Sequence, residues 1–167
     1  MLLIIQTSLN PQSKTAIAAK TLLGEADNLG IQAELLDVRD YDFELCHGGK
    51  IESYNTDMQQ IHEKVLSADA YVLAYPVYNY SFSGVCKNFI DIFSHDMQGK
   101  RCGVMHNSYS VRSFADGYAE LSKVLGLHDH VQMILPVVHT MHEDFSEGKI
   151  LNPKVIDKMK GLLENIS

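Results

Sequence analysis

A chain of 167 residues with 46% hydrophobic and 21% charged residues is expected to form one globular domain, 1–167, around one sizeable core. Its net charge of −7 argues against non-specific nucleic-acid binding and against an anionic membrane surface. Cys46, Cys86 and Cys102 are odd in number and show no CxxC spacing, so they make neither a disulfide framework nor a zinc cluster.

Met1–Gln6 carries a short apolar run with no basic region before it, too short for a signal peptide. No apolar stretch approaches the roughly 18 residues of a membrane span. The expected location is cytoplasmic. Leu2–Ile5 reads as the first strand. Ala19, Leu22, Leu23 and Ala26 follow with helical spacing, stopped by Gly30. Ala33–Leu36 is the second strand. Thr56-Asp57-Met58-Gln59 reads as a capping box opening a helix with Met58, Ile61, Val65 and Leu66 inward. Ala70–Tyr75 is the third strand, and Val85, Phe89, Ile92 and Phe93 form the third helical stripe. Cys102–Met105 is the fourth strand. Phe114, Tyr118, Leu121 and Leu125 form the fourth stripe, closed by Gly126. Val131–Val138 is the fifth strand. Asn152-Pro153 supplies an N-cap and first-turn pair for a last helix with Val155, Met159 and Leu162 inward.

Most of the strand runs are unbroken rather than alternating, as expected of strands buried on both faces. Five strands alternating with five helices predict a doubly wound α/β fold with helices on both faces of a parallel sheet. In such sheets, ligands bind beyond the carboxyl ends of the strands.

Beyond the first strand lies Thr7-Ser8-Leu9-Asn10-Pro11-Gln12-Ser13-Lys14-Thr15. Four hydroxyls, Asn10, Lys14 and helix N-terminal amides converge there, a set suited to a phosphate, or merely to capping the helix. Neither a Walker A pattern nor GxGxxG is present. Beyond the third strand, Pro76-Val77-Tyr78-Asn79-Tyr80-Ser81-Phe82-Ser83-Gly84 could flank a planar ring. Beyond the fourth, Asn107-Ser108-Tyr109-Ser110-Val111-Arg112-Ser113 is again polar. The second strand ends in Asp37-Val38-Arg39-Asp40, read as surface charge pairs. His128-Asp129-His130 and His139-xx-His142 are read as surface histidines rather than metal ligands. Cys86 reads as a core thiol and Cys46 as a loop thiol without catalytic surroundings. Three polar loops would thus surround one elongated ligand with a phosphate at one end and a ring at the other.

The segment Pro76 to Asp91 resembles the P-x-Y-N-x-S-x-x-G-x-L-K-N-x-I-D signature of the NAD(P)H-dependent FMN reductase family, with Cys86 at the usual Leu. Ser8-Leu9 with Ser13 is similar to that family's phosphate loop, Leu36 to Asp40 to its D-L-R-D segment, and Glu143 to Leu151 to its acidic stretch before the last helix. Two departures stand out. Asn10 or Pro11 replaces the loop's usual Arg, and Asn107 to Ser110 replaces a Gly-rich loop.

The resemblance implies a flavodoxin-like three-layer α/β/α fold with a five-stranded parallel sheet. It also implies bound FMN, NAD(P)H as electron donor, a flavin or quinone-like small-molecule acceptor, and a homodimer or homotetramer. Under it, Ser8, Asn10, Ser13, Lys14 and Thr15 hold the phosphate. Pro76, Val77, Tyr78, Asn79, Tyr80 and Ser81 border the ring, with Asn107, Ser108 and Tyr109 near it, and Arg112 is a substrate contact. No residue stands out as a proton-transfer catalyst. Three alternatives remain at this stage. An electron-carrier flavodoxin would show a Thr/Ser-x-Thr-Gly-x-Thr pattern after strand one. A phospho-receiver would need acidic residues where Thr7-Ser8 and Pro76-Val77 stand. A relative that has lost flavin would fit the departures at Asn10 and after Met105.

Overall fold

The computed structural model describes residues 1–109 and 114–167, without the side chains of 114–116. Five strands form a parallel sheet: β1 (Leu2–Gln6), β2 (Ala33–Asp37), β3 (Ala70–Tyr78), β5 (Arg101–Ser108) and β6 (Gln132–Met141), in the spatial order β2-β1-β3-β5-β6. A two-residue strand β4 (Ser81–Phe82) adds antiparallel to the end of β3. A separate hairpin, β7 (Phe145–Ser146) with β8 (Lys149–Ile150), precedes the last helix.

Successive strand residues point to opposite faces, which is why the strands read as unbroken apolar runs. Leu3, Ile5, Tyr71, Leu73, Tyr75 and Val104 meet α2 (Thr56–Ser67), α3 (Gly84–Phe93) and α4 (Phe114–Ser122) through Met58, Ile61, Val65, Phe89, Phe93 and Leu121. Leu2, Ile4, Val72, Ala74 and Met105 meet α1 (Lys14–Asn28) and α5 (Pro153–Ile166) through Ala18, Ala19, Leu22, Val155, Met159 and Leu162. The layers are therefore helix, sheet, helix. The chain leaves β1 for β2 on one side and returns to β3 on the other. The β1/β3 boundary is thus the point where strand order reverses, and its carboxyl edge is where a ligand crevice opens.

Helix ends follow the sequence at most places. Ser13 caps α1, its hydroxyl accepting the Ala16 amide at 3.0 Å. Past the other end, Gly30 has φ +71, and the Ile31 amide reaches back to the Ala26 carbonyl at 2.9 Å. Asn152 and Pro153 open α5 as expected. The capping box at Thr56 is corrected: Asn55 is the cap, accepting the Met58 amide at 2.9 Å, and Thr56 is the first helical residue. Asn competes well with Thr for this position. Gly126 does not close the fourth helix. The chain continues past it in wider π-helical turns over Lys123–His128.

Three strands run longer than their apolar cores. β3 extends to Tyr78, β5 to Ser108 and β6 to Met141. Pro76, Val77, Asn107 and Ser108 are thus strand rather than loop residues, because cross-strand pairing continues past the apolar segment: Pro76 faces Asn107, and Asn107 faces Thr140. Pro136 is accommodated because β6 is an edge strand, opposite the register shift between Gly103 and Met105. No helix among the described residues is long and apolar enough to cross a membrane.

Candidate functional site

A cleft of about 360 Å3 opens at the carboxyl ends of β1, β3 and β5. That volume lies in the range of small-molecule sites, roughly 300–1,000 Å3. Its lining is Ser8, Asn10, Gln12, Ser13, Lys14 and Thr15 on one wall. Pro76, Val77 and Tyr78 form the floor side, and Asn107, Ser108, Tyr109 and His142 form the opposite wall.

The first wall is the β1–α1 connection. Ser13 Oγ takes the Ala16 amide and the Ser13 carbonyl takes that of Ile17, at 3.2 Å. Helix geometry leaves the Lys14 and Thr15 amides of the first turn without intrahelical acceptors, at the positive end of a 15-residue helix. The Lys14 ammonium lies 5.7 Å from the centre of the Phe145 ring, within cation–π range. Among the described residues, no carboxylate lines the cleft. An acidic chain thus carries a locally cationic cleft end, and the donor set fits a phosphate. Thr7, one of the four hydroxyls, is fully buried instead and donates to the Ala74 carbonyl at 3.0 Å.

The floor side begins as strand and ends as a hairpin. Val77 pairs with Phe82 and Tyr78 with Ser81, leaving Asn79 (φ +51) and Tyr80 (φ +68) as the two turn residues. Both sit in the left-handed region, as a two-residue hairpin turn requires. Asn79, Tyr80 and Ser81 do not line the cleft; the Ser81 hydroxyl donates to Glu120 on α4. Gly117 of α4 packs close to this hairpin: a Cβ there would lie 3.6 Å from the Phe82 amide nitrogen.

The opposite wall rests on a cross-strand row. Register places Tyr75, His106 and His139 side by side on β3, β5 and β6. The rings stack, with centroids 5.6 Å apart for Tyr75–His106 and 4.9 Å for His106–His139. Burial, aided by the charge of His139, pushes His106 down to about 3. Burial also lowers His139, against the pull of Asp144. Both imidazoles are therefore neutral near pH 7. Two residues on from His106, Ser108 Oγ lies 2.7 Å from His139 Nε2. Asn107 Nδ2 donates to the Thr140 carbonyl and hydroxyl at 3.2 and 3.0 Å. At the mouth, the rings of Tyr109 and His142 lie 6.4 Å apart and nearly parallel. Asp144 braces the turn below by accepting from the Met141 amide and from Asn152, each at 2.7 Å.

Every expected phosphate residue lines the cleft, as do Pro76, Val77, Tyr78, Asn107, Ser108 and Tyr109. Arg112 and Ser110 lie outside the described residues. His128 and His130 are exposed as expected, but His139 is a correction: it is half-buried in β6. Among the described residues, no cluster of His, Cys, Asp or Glu could hold a metal. Sequence reasoning missed Gln12 and His142. It read the carboxyl ends of four strands; the same rule applied to the fifth points to His139–His142. Asp37 and Arg39 do pair, but inward, next to buried Gln6. Burial would raise the Asp37 carboxyl, yet hydrogen bonds and charge from Arg39 outweigh it and hold the group below its ordinary value.

Comparison with known proteins identifies relatives of this chain. The chain is 38% identical over 84 residues to a NAD(P)H-dependent FAD/FMN reductase of Geobacillus thermodenitrificans, covering 49% of this chain and 45% of that protein. It is 32% identical over 116 residues to an FMN-dependent NADPH-azoreductase of Staphylococcus haemolyticus, covering 66% of this chain and 62% of that one. The matches thus span about half to three-fifths of those relatives' own length. Among solved structures, a flavoenzyme NAD(P)H:(acceptor) oxidoreductase from Paracoccus denitrificans shares the fold. Its TM-score is 0.78 at 20% identity, over 98% of this chain and 92% of that one. The family model for NADPH-dependent FMN reductase matches residues 1–144, from the first strand through the turn that carries His142. With a cleft at the strand-order reversal, a phosphate-suited helix end and that match over most of its length, the chain belongs to the NADPH-dependent FMN reductase family.

Proposed function

We propose that residues 1–167 form one FMN-binding domain that oxidises NAD(P)H and reduces a small-molecule acceptor such as a flavin or quinone. The observation that carries this reading is the composition of the cleft: a helix N-terminus with Lys14 at one end and strand-end walls at the other. When bound, FMN would supply hydride acceptance and donation at its N5.

The chain's own residues do the holding. Ser8, Asn10, Ser13, Lys14 and Thr15 would bind the phosphate through hydroxyls, first-turn amides and the ammonium. Pro76, Val77 and Tyr78 would border the ring on one side, and Asn107, Ser108 and Tyr109 on the other. The hairpin turn Asn79–Tyr80 and Ser81 would support Tyr78 from behind. Tyr109 and His142 narrow the mouth and orient what enters. Ser108, hydrogen-bonded to His139, sets the polar character of the far wall. Arg112 remains a proposed substrate contact. Exposed Leu9, Tyr78, Tyr80 and Tyr109 around the cleft support a homodimer or homotetramer. Three free cysteines, two of them buried, support a cytoplasmic location.

Purified protein titrated with FMN should quench the flavin's fluorescence. Added NADPH, without a partner reductase, should then bleach the flavin absorbance. Binding without bleaching would make the protein an electron carrier, and absence of binding would overturn the reading altogether.

A further inference from the structure

We propose that Gln6, Asp37 and Arg39 form a bracket that positions the phosphate-binding loop from outside the cleft, and so sets its preference for phosphorylated over unphosphorylated flavin. The inference rests on the reading of the cleft as an FMN site.

The bracket starts at the last residue of β1. Gln6 is fully buried, and its side chain engages both backbone groups of Ser8. The Gln6 amide oxygen accepts the Ser8 N–H, and Nε2 donates to the Ser8 carbonyl at 3.1 Å. Nε2 also donates to Asp37 Oδ1 at 2.9 Å. Parallel register places Asp37, the last residue of β2, directly beside Gln6. Asp37 in turn accepts from Arg39: from its backbone amide at 3.1 Å, from Nε at 2.8 Å, and from Nη2. With Gln6 this makes four hydrogen bonds, three on Oδ1 and one on Oδ2. The fork of Arg39 is then aimed outward, and Nη1 donates to the Asn10 carbonyl at 3.1 Å.

Two residues of the cleft wall, Ser8 and Asn10, are thus tied to the neighbouring strand by side chains that do not line the cleft. Before Ser8, Thr7 is fixed to the sheet, its amide and hydroxyl donating to the Ala74 carbonyl at 2.9 and 3.0 Å; past Ser8, the loop's other bonds are internal. The Asn10 amide reaches Ser8 Oγ at 3.4 Å, and the Gln12 amide reaches Asn10 Oδ1 at 2.8 Å. Internal bonds give the turn its shape but do not fix it to the domain. Leu9, Asn10, Pro11 and Gln12 are exposed and hold the loop by little packing. Without an anchor, ordering such a segment on ligand binding would cost backbone entropy, and the bracket removes part of that cost beforehand. Arg39 cannot be exchanged for Lys in this role, because one ammonium cannot bridge Asp37 and Asn10 with the same planar fork. These are positioning residues: the phosphate meets the loop, and the bracket holds the loop.

The experiment titrates the full-length chain with FMN and with riboflavin, which lacks the phosphate, by fluorescence quenching. In Asp37→Asn and Arg39→Gln, FMN should bind about tenfold more weakly or worse, the scale of one charge-assisted hydrogen bond. Riboflavin affinity should change by less than about twofold, since a loop that meets only the phosphate transmits nothing to the ring; tenfold is 1.4 kcal/mol and twofold about 0.4. The double variant should lose no more than the worse single one, as members of one network do. Should Asp37→Asn fail to fold, Arg39→Gln carries the test alone, its side chain being partly exposed. Equal losses for FMN and riboflavin, or no loss for either, would overturn the bracket while leaving the FMN reading in place. Failure of the wild-type chain to bind either ligand would overturn both.

Discussion

The two walls of the cleft are built by different means. The β1–α1 wall is irregular backbone held by polar side chains: Gln6 grips Ser8, Arg39 grips Asn10, and Ser13 caps the helix. The β5–β6 wall is regular strand held by ring stacking and cross-strand pairing: Tyr75, His106 and His139 stack, and Asn107 bonds Thr140. A loop wall can wrap an anion with amides. A strand wall gives a flat surface but has already used its amides in the ladder. The division fits a ligand with a charged end and a planar end.

Gln6→Leu is the most severe way to break this comparison. It strips the side-chain partner from the Ser8 amide and carbonyl and one donor from Asp37, and leaving the two Ser8 groups unsatisfied should cost roughly 2–4 kcal/mol of stability in urea denaturation. A loss under about 1 kcal/mol would mean water replaces Gln6, and the loop wall is not held as described. Lys14→Ala tests the same wall from inside. FMN binding should weaken by roughly 1–3 kcal/mol while riboflavin binding stays nearly unchanged. Equal loss of both would remove the distinction between a phosphate wall and a ring wall.

His106→Leu probes the strand wall through pH. His106 is held down to about 3 by burial, so between 6.5 and that value the unfolded chain binds a proton that the native chain refuses. Its contribution to stability is therefore present above about 6.5 and is lost progressively as pH falls through that window. Replacing His106 should flatten the fall in stability between pH 6.5 and 3, by at most about 1.4 kcal/mol per pH unit. An unchanged slope would show that the imidazole row does not titrate with unfolding.

Much of this was legible in the residues. Pro76 to Asp91 carries the family resemblance, and Lys14 with Ser13 and Thr15 makes a helix end whose local chemistry suits an anion. The ends of β3, β5 and β6 were not legible, since polar residues such as Asn107 look like loop until a neighbouring strand is there to pair with. His139 looked exposed because nothing local indicates that Ser108 and His106 will lie against it. Arg39 looked like a surface charge because its acceptor, the Asn10 carbonyl, is 29 residues away in sequence.

The sequence by itself determined the alternation of strands and helices, the burial of the sheet on both faces, and the helix end suited to a phosphate. These follow from short-range periodicity and capping, which act within a few residues. Only the tertiary structure decided which wall is loop and which is strand, and which distant side chains hold each. Those features depend on register between strands, which is set by the packed sheet as a whole.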